Sequence, residues 1–214
     1  MLPFRRTRDL VTRTLALGKV APLAALVWSV CTLAHADSPP VPDPTTRWGL
    51  DVYGGAIFSV GSRSSPLNYT IVPLIPTLRS GAVMRRPLGS GDLVVRTRFS
   101  LLVEPIVQGP ETHYIGLAAA PSIEWWNAAR TYSTFFSIGG GFGWMDSRGP
   151  DVPGGQGQDF NFNWFMHGGV SAQLNERVNA SLGLYFQHIS NGGTNSVNPG
   201  IDALGPMVGL GWRV

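Results

Sequence analysis

The sequence predicts an all-β chain, an eight-stranded antiparallel transmembrane β-barrel of the outer membrane. Three observations predict it. Apolar residues alternate with small or polar ones along successive segments, the period-2 signature of strands. The segments run to about 11–15 residues, more than the ~5–6 of a soluble sheet and enough for the ~9–11 that a tilted strand needs to cross a bilayer. Short connections alternate with long ones, which together with an even strand count is the layout of a membrane barrel.

The segments follow in order. Trp48, Leu50, Val52, Ala56 and Phe58 share one parity, with Asp51 and Tyr53 on the other. A weaker segment covers 74–86. Leu93, Val95, Phe99, Leu101 and Val103 then oppose Arg96, Arg98, Ser100 and Glu104. Ile115, Leu117, Ala119, Ile123 and Trp125 oppose Tyr114, Gly116, Ser122 and Glu124. Tyr132, Phe136, Ile138, Phe142 and Trp144 oppose Ser133, Ser137 and three glycines. Phe160, Phe162, Trp164, Met166, Val170 and Ala172 oppose Asn161, Asn163, His167, Ser171 and Gln173. Segments 178–190 and 201–214 complete the eight. The connections 87–92, 127–130 and 174–177 are short; 59–73, 106–112, 145–158 and 191–200 are longer. Trp48, Trp125, Trp144 and Trp212 near strand ends suit interfacial aromatic girdles.

A soluble barrel or sandwich would also alternate, but its outer face should be rich in Lys and Glu. Here the non-apolar face is Gly, Ser and Asn with sparse Arg and Glu. In an eight-stranded barrel that face fills the interior and leaves no wide channel. Arg96, Arg98, Glu104 and Glu124 share the inward parity and are expected to form a paired ionic plug. Pro73, Pro76, Pro105, Pro121 and Pro206 are expected at strand ends or bulges, because a closed barrel has no free edge for them.

Of the 214 residues 43% are hydrophobic and 14% charged, with 27 Gly and one Cys. These values exclude a disordered chain and a disulfide scaffold. Residues 1–36 read as a cleaved signal peptide: Arg5, Arg6, Arg8, Arg13 and Lys19 precede an apolar stretch from Ala21 to Leu33, and Ala34-His35-Ala36 is a small-x-small cleavage pattern. The formal charge of +3 belongs to that segment. Without it, eleven Arg face twelve acidic residues and no Lys or Cys remains, so nucleic-acid binding is not expected. Residues 37–46 form a Pro-rich leader, and 47–214 the barrel.

With the long connections outside the cell, the seventh strand runs outward and ends in Gln187-His188-Ile189-Ser190-Asn191-Gly192-Gly193. Leu182, Leu184 and Phe186 mark one parity as lipid-facing, and His188 and Ser190 share it. In the last strand Asp202 shares the parity of Leu204, Val208, Leu210 and Trp212. If the two strands pair across 191–200, three polar side chains meet on one lipid-facing patch, where polar groups are costly. A His can act as base toward a hydroxyl two residues on, and a carboxylate can hold its second nitrogen. Asn191 and Gly193 follow as backbone donors for an oxyanion. His-x-Ser is also an ordinary tripeptide at a polar strand end.

The run from Tyr185 to Gly193, then Asn198-Pro199-Gly200-Ile201-Asp202, resembles the lipid A 3-O-deacylase family of Gram-negative outer membranes. The resemblance is strong over about residues 160–214 and looser, as a matching strand layout, back to Trp48. It implies an eight-stranded barrel with the triad on its outer wall: Ser190 as nucleophile, His188 as base, Asp202 as acid, and Asn191 and Gly193 at the oxyanion hole. It also implies a serine esterase that removes an acyl ester of lipid A in lipopolysaccharide, the 3-O-linked chain in this family. No cofactor or metal is expected, and a homodimer stays open. Asp202 stands where the family has Glu, one methylene longer, which puts the acid's reach in question. The same string also resembles outer-membrane phospholipase A, a larger calcium-using barrel, and a non-catalytic structural barrel is the third reading.

Elsewhere, His113 beside Glu111 is expected in or next to an outer loop, and His167 in the interior among Asn and Ser. The Gly-rich 151–158 run lacks the Lys of a phosphate loop and reads as a mobile outer loop.

Overall fold

The computed structural model describes residues 43–61 and 65–214. The signal-peptide reading of 1–36 and the first part of the leader lie outside the described residues. Eleven strand segments follow: β1 (Gly49–Gly55), β2 (Ile57–Ser59), β3 (Thr70–Ile71), β4 (Leu74–Arg79), β5 (Met84–Leu88), β6 (Gly91–Gln108), β7 (His113–Asn127), β8 (Tyr132–Met145), β9 (Phe160–Gln173), β10 (Val178–Ser190) and β11 (Ile201–Arg213). Every pairing is antiparallel. The ring runs β1, β4, β6, β7, β8, β9, β10, β11 and closes through β11 onto β1. The result is a closed eight-stranded barrel, as alternation and strand length predict. β2 continues β1, and β3 and β5 extend β4 at its two ends along β6.

Pro73 falls between β3 and β4, as expected, but other prolines depart from expectation. Pro76, Pro121 and Pro206 lie inside strands, and each coincides with a local gap in one ladder. β1 pairs Gly55 with Met207 and β2 pairs Phe58 with Leu204, so Ala56, the break between them, lies opposite Pro206. β7 pairs Ala119 with Gly140 and Ser122 with Ser137, skipping Pro121. β4 pairs Leu74 with Val103 and Thr77 with Ser100, skipping Pro76. A missing N–H removes one rung without shifting the register, so the barrel tolerates it without a bulge.

The alternation sorts inside from outside. Phe99, Leu117, Phe136, Ile138 and Val208 are about half exposed on the wall, while Tyr114, Leu102 and Met207 are buried within. Two of the expected girdle residues, Trp48 and Trp212, mark the short-turn end and Trp144 the long-loop end, all exposed.

The interior holds the expected ionic layer of Arg96, Arg98 and Glu124, with Asp51 and Arg79 in it and Glu104 outside it. Glu124 takes both Arg96 (Nε to Oε2, 3.1 Å) and Arg98 (Nη2 to Oε1, 3.1 Å), and Asp51 pairs with Arg79 at 3.0 Å. Glu104 is not part of this layer. At six residues beyond Arg98 on β6, it sits roughly 20 Å farther along the strand, in the outer half of the barrel. The segment before β1 is tied to the short-turn end, where Arg96 Nη2 donates to the Pro44 carbonyl and Ala82 N–H to that of Thr45.

Candidate active site

β10 and β11 pair without a bulge from Val178↔Trp212 to Ile189↔Ile201. An unbroken register carries the parity of the lipid-facing wall up to the outer rim. His188 and Asp202 are direct partners in that ladder. His188 Nδ1 lies 2.6 Å from Asp202 Oδ1, and Nε2 lies 3.0 Å from Ser190 Oγ. An ionised Asp202 only accepts, so Nδ1 carries the proton and Nε2 is left to accept the Ser190 O–H. The side chains of His188 and Asp202 are 28% and 25% exposed, toward the outside of the barrel. Asp202, one methylene shorter than a Glu, reaches the ring at full hydrogen-bond distance.

The backbone around Asp202 is held by the first outer loop. Val60 N–H donates to the Asp202 carbonyl and Ser65 N–H to that of Gly200. Gly200 has φ +68°, and a Cβ placed there would stand 3.3 Å from His188 Cε1. A side chain at this position would therefore be strained and would press on the His188 imidazole. This constraint on the ring was not evident from the sequence.

The expected oxyanion donors are engaged elsewhere. Asn191 N–H donates to Asn198 Oδ1 at 3.0 Å, and Gly193 N–H to Asn191 Oδ1 at 2.9 Å. Asn191 Nδ2 donates to the Val197 carbonyl, and the residue is fully buried. Asn side chains that close on nearby backbone stabilise turns, and here they occupy the N–H groups that a flexible Gly-Gly loop would leave open. Gly192, at φ +65°, makes no backbone N–H hydrogen bond among the described residues.

On the other flank of His188, β9 pairs Trp164 with His188 and Phe162 with Ser190. The Trp164 and His188 rings are 6.0 Å apart at 31°, and Trp164 also meets Phe186 at 5.0 Å. Sequence parity placed Trp164 on the wall, but only the register puts it beside His188.

The remaining candidates are elsewhere. His113 opens β7, with Nδ1 3.5 Å from Asp146 Oδ1. Glu111 is buried and accepts from Tyr69 OH at 2.8 Å and Gln156 N–H at 2.7 Å. His167 is interior as expected, but its nearest ring neighbours are Tyr53, Phe135 and Tyr185, all edge-on. The Gly-rich loop is tied down: Gly149 N–H donates to the Gln156 carbonyl, and Ser65 Oγ donates to that of Gly154. In the same outer region Asp159 accepts from the Ser147 hydroxyl and N–H, which hold its carboxyl below the usual range. Burial raises Asp146, but bonds from Thr112 outweigh it and the carboxyl is likewise lowered. Among the described residues, no group of three or more His, Cys, Asp or Glu is gathered for a metal ion.

Comparison with known proteins bears on this wall. The profile of the lipid A 3-O-deacylase (PagL) family matches residues 90–211, more than half of the chain. The matched span contains His188, Ser190 and Asp202. Among solved structures, the crystal structure of the outer membrane enzyme PagL is similar with a TM-score of 0.50 and 18% identity, covering 77% of this chain and 99% of that one. The outer membrane protein OprG from Pseudomonas aeruginosa is similar with a TM-score of 0.42 and 10% identity, over 79% of this chain and 97% of that one. At such identity the likeness to PagL is one of fold. No curated protein sequence matches the chain.

Proposed function

The chain belongs to the lipid A 3-O-deacylase family and is an integral barrel of the outer membrane, and from that premise we propose that it is a serine esterase removing the 3-O-linked acyl chain of lipid A. The observation that carries this reading is the hydrogen-bonded chain from Ser190 through His188 to Asp202 on the lipid-facing wall. A nucleophile there meets the acyl esters of outer-leaflet lipid before any soluble substrate.

In this reading Ser190 Oγ attacks the ester carbonyl while His188 Nε2 takes its proton. Asp202 fixes the imidazole in the Nδ1–H tautomer and offsets the imidazolium charge. The tetrahedral oxyanion needs a donor. With the N–H groups of Asn191 and Gly193 engaged, the Gly192 N–H between them is the proposed one. Collapse breaks the ester C–O bond, and His188 gives its proton to the leaving sugar oxygen, which departs as the hydroxyl. A water, activated by the same His, then hydrolyses the acyl-Ser190 ester and restores the serine.

The test is mass spectrometry of lipid A after incubation with purified protein in detergent or liposomes. Loss of one acyl chain from the 3 position is the expected result. Fatty acid released from phospholipid instead would favour the phospholipase reading, and no release from either would leave a silent barrel.

A further inference from the structure

The reactive face of His188 is incompletely covered by groups that can answer a positive charge. Both ring nitrogens are used in plane, one toward Asp202 and one toward Ser190. The side chain is 28% exposed on the outer wall at the rim, where lipid displaces part of the water that would otherwise solvate an imidazolium formed during the reaction. On the β9 side stands the indole of Trp164, its centroid 6.0 Å from the imidazole and inclined by only 31°. At that angle the two rings are nearer parallel than edge-on.

The seat of the indole is built into the sheet. Trp164 is the direct ladder partner of His188 on one side and of Gly140 on the other. At Gly140 an added Cβ would approach Asn163 O to 2.7 Å and Trp164 Cβ to 3.6 Å. Phe186, two residues before His188, backs the indole at 5.0 Å. Glycine on one side and an aromatic neighbour on the other hold Trp164 beside the base.

We propose that Trp164 is a positioning residue for His188 which, through its π face, stabilises the imidazolium formed as Ser190 attacks. This rests on the esterase reading above. A cation within about 6 Å of an indole face is attracted by the ring quadrupole, and more strongly when water is excluded. The neutral imidazole of the resting state gains little from the same contact. The stabilisation therefore belongs to the transition state and acts on kcat, leaving KM unchanged.

The experiment installs tryptophan carrying no, one, two or three fluorines at position 164 alone, in the full-length barrel. Fluorine withdraws π density without changing the shape of the side chain, so folding is not at issue. Lipid A deacylation is followed in detergent, with Trp164→Phe, Trp164→Leu and Ser190→Ala alongside. The expected result is a stepwise fall of kcat with each fluorine at constant KM. Trp164→Leu should lose about 3- to 30-fold in kcat, and Trp164→Phe should restore part of that loss. A kcat indifferent to fluorination overturns the proposal, as does an effect confined to KM, which would make Trp164 a surface for the acyl chain. Ser190→Ala separates the two readings. If it remains active the esterase assignment itself fails, whereas an inactive Ser190→Ala with a flat fluorine series removes only the role of Trp164.

Discussion

His188 and Asp202 face each other as direct partners of neighbouring strands, with Nδ1 and Oδ1 2.6 Å apart. The missing methylene relative to a Glu is made up by this direct pairing, which starts both side chains from adjacent Cα atoms on one face.

Asp202→Ala should lower lipid A deacylation by about 10²- to 10⁴-fold and leave a measurable remainder, because the acid orients the base without attacking. Asp202→Glu should give no gain, since the shorter carboxylate already reaches. Initial rates with the two variants check both statements; a clear rate increase with Glu would mean that the 2.6 Å contact is not the working one.

Gly200→Ala should slow the reaction several-fold or more while the barrel still folds. The new Cβ would stand 3.3 Å from His188 Cε1, at a φ of +68° that disfavours any side chain. Activity beside a heat-modifiability gel shift separates the local effect from loss of the barrel.

Glu124→Gln should destabilise the barrel by about 3–5 kcal/mol, because it leaves the buried Arg96 and Arg98 without their shared carboxylate. Urea unfolding in detergent measures this. The rim residues lie at the other end of β10 and β11, so deacylation at low temperature should survive.

The outer-loop clasp should loosen in acid. Asp146 and Asp159 both have carboxyls held below their ordinary value of 3.8 by bonds from Thr112 and Ser147. Lowered acids stabilise the folded form above that ordinary value and lose the contribution as pH falls through the folded one. The protection factors of the Thr112 and Ser147 amides, which correct exchange for its intrinsic pH dependence, should therefore be flat from pH 5 to 8 and fall below about pH 4.

Much of the barrel could be read from parity alone. The wall of Phe99, Leu117, Phe136 and Val208, and the inward Arg96, Arg98 and Glu124, follow from a period of two. Parity says which face a residue takes but not who stands beside it. That is why Trp164 and Gly200 were missed as neighbours of His188, and why Glu104 was grouped with ion pairs lying far down the same strand. The Asn191 and Gly193 N–H groups escaped for a different reason. Whether an Asn side chain closes on its own turn depends on how the 191–200 loop folds back, which neither period nor composition encodes. The in-strand prolines misled because a rung can be lost without a bulge, and the neighbouring rungs keep the register.

The most direct test of the esterase account is the mass spectrum of lipid A treated with wild-type protein and with Ser190→Ala in parallel. The account predicts loss of a single acyl chain, from the 3 position, with wild type and intact lipid A with the variant. Intact lipid A in both samples, or equal acyl release by Ser190→Ala, would contradict it.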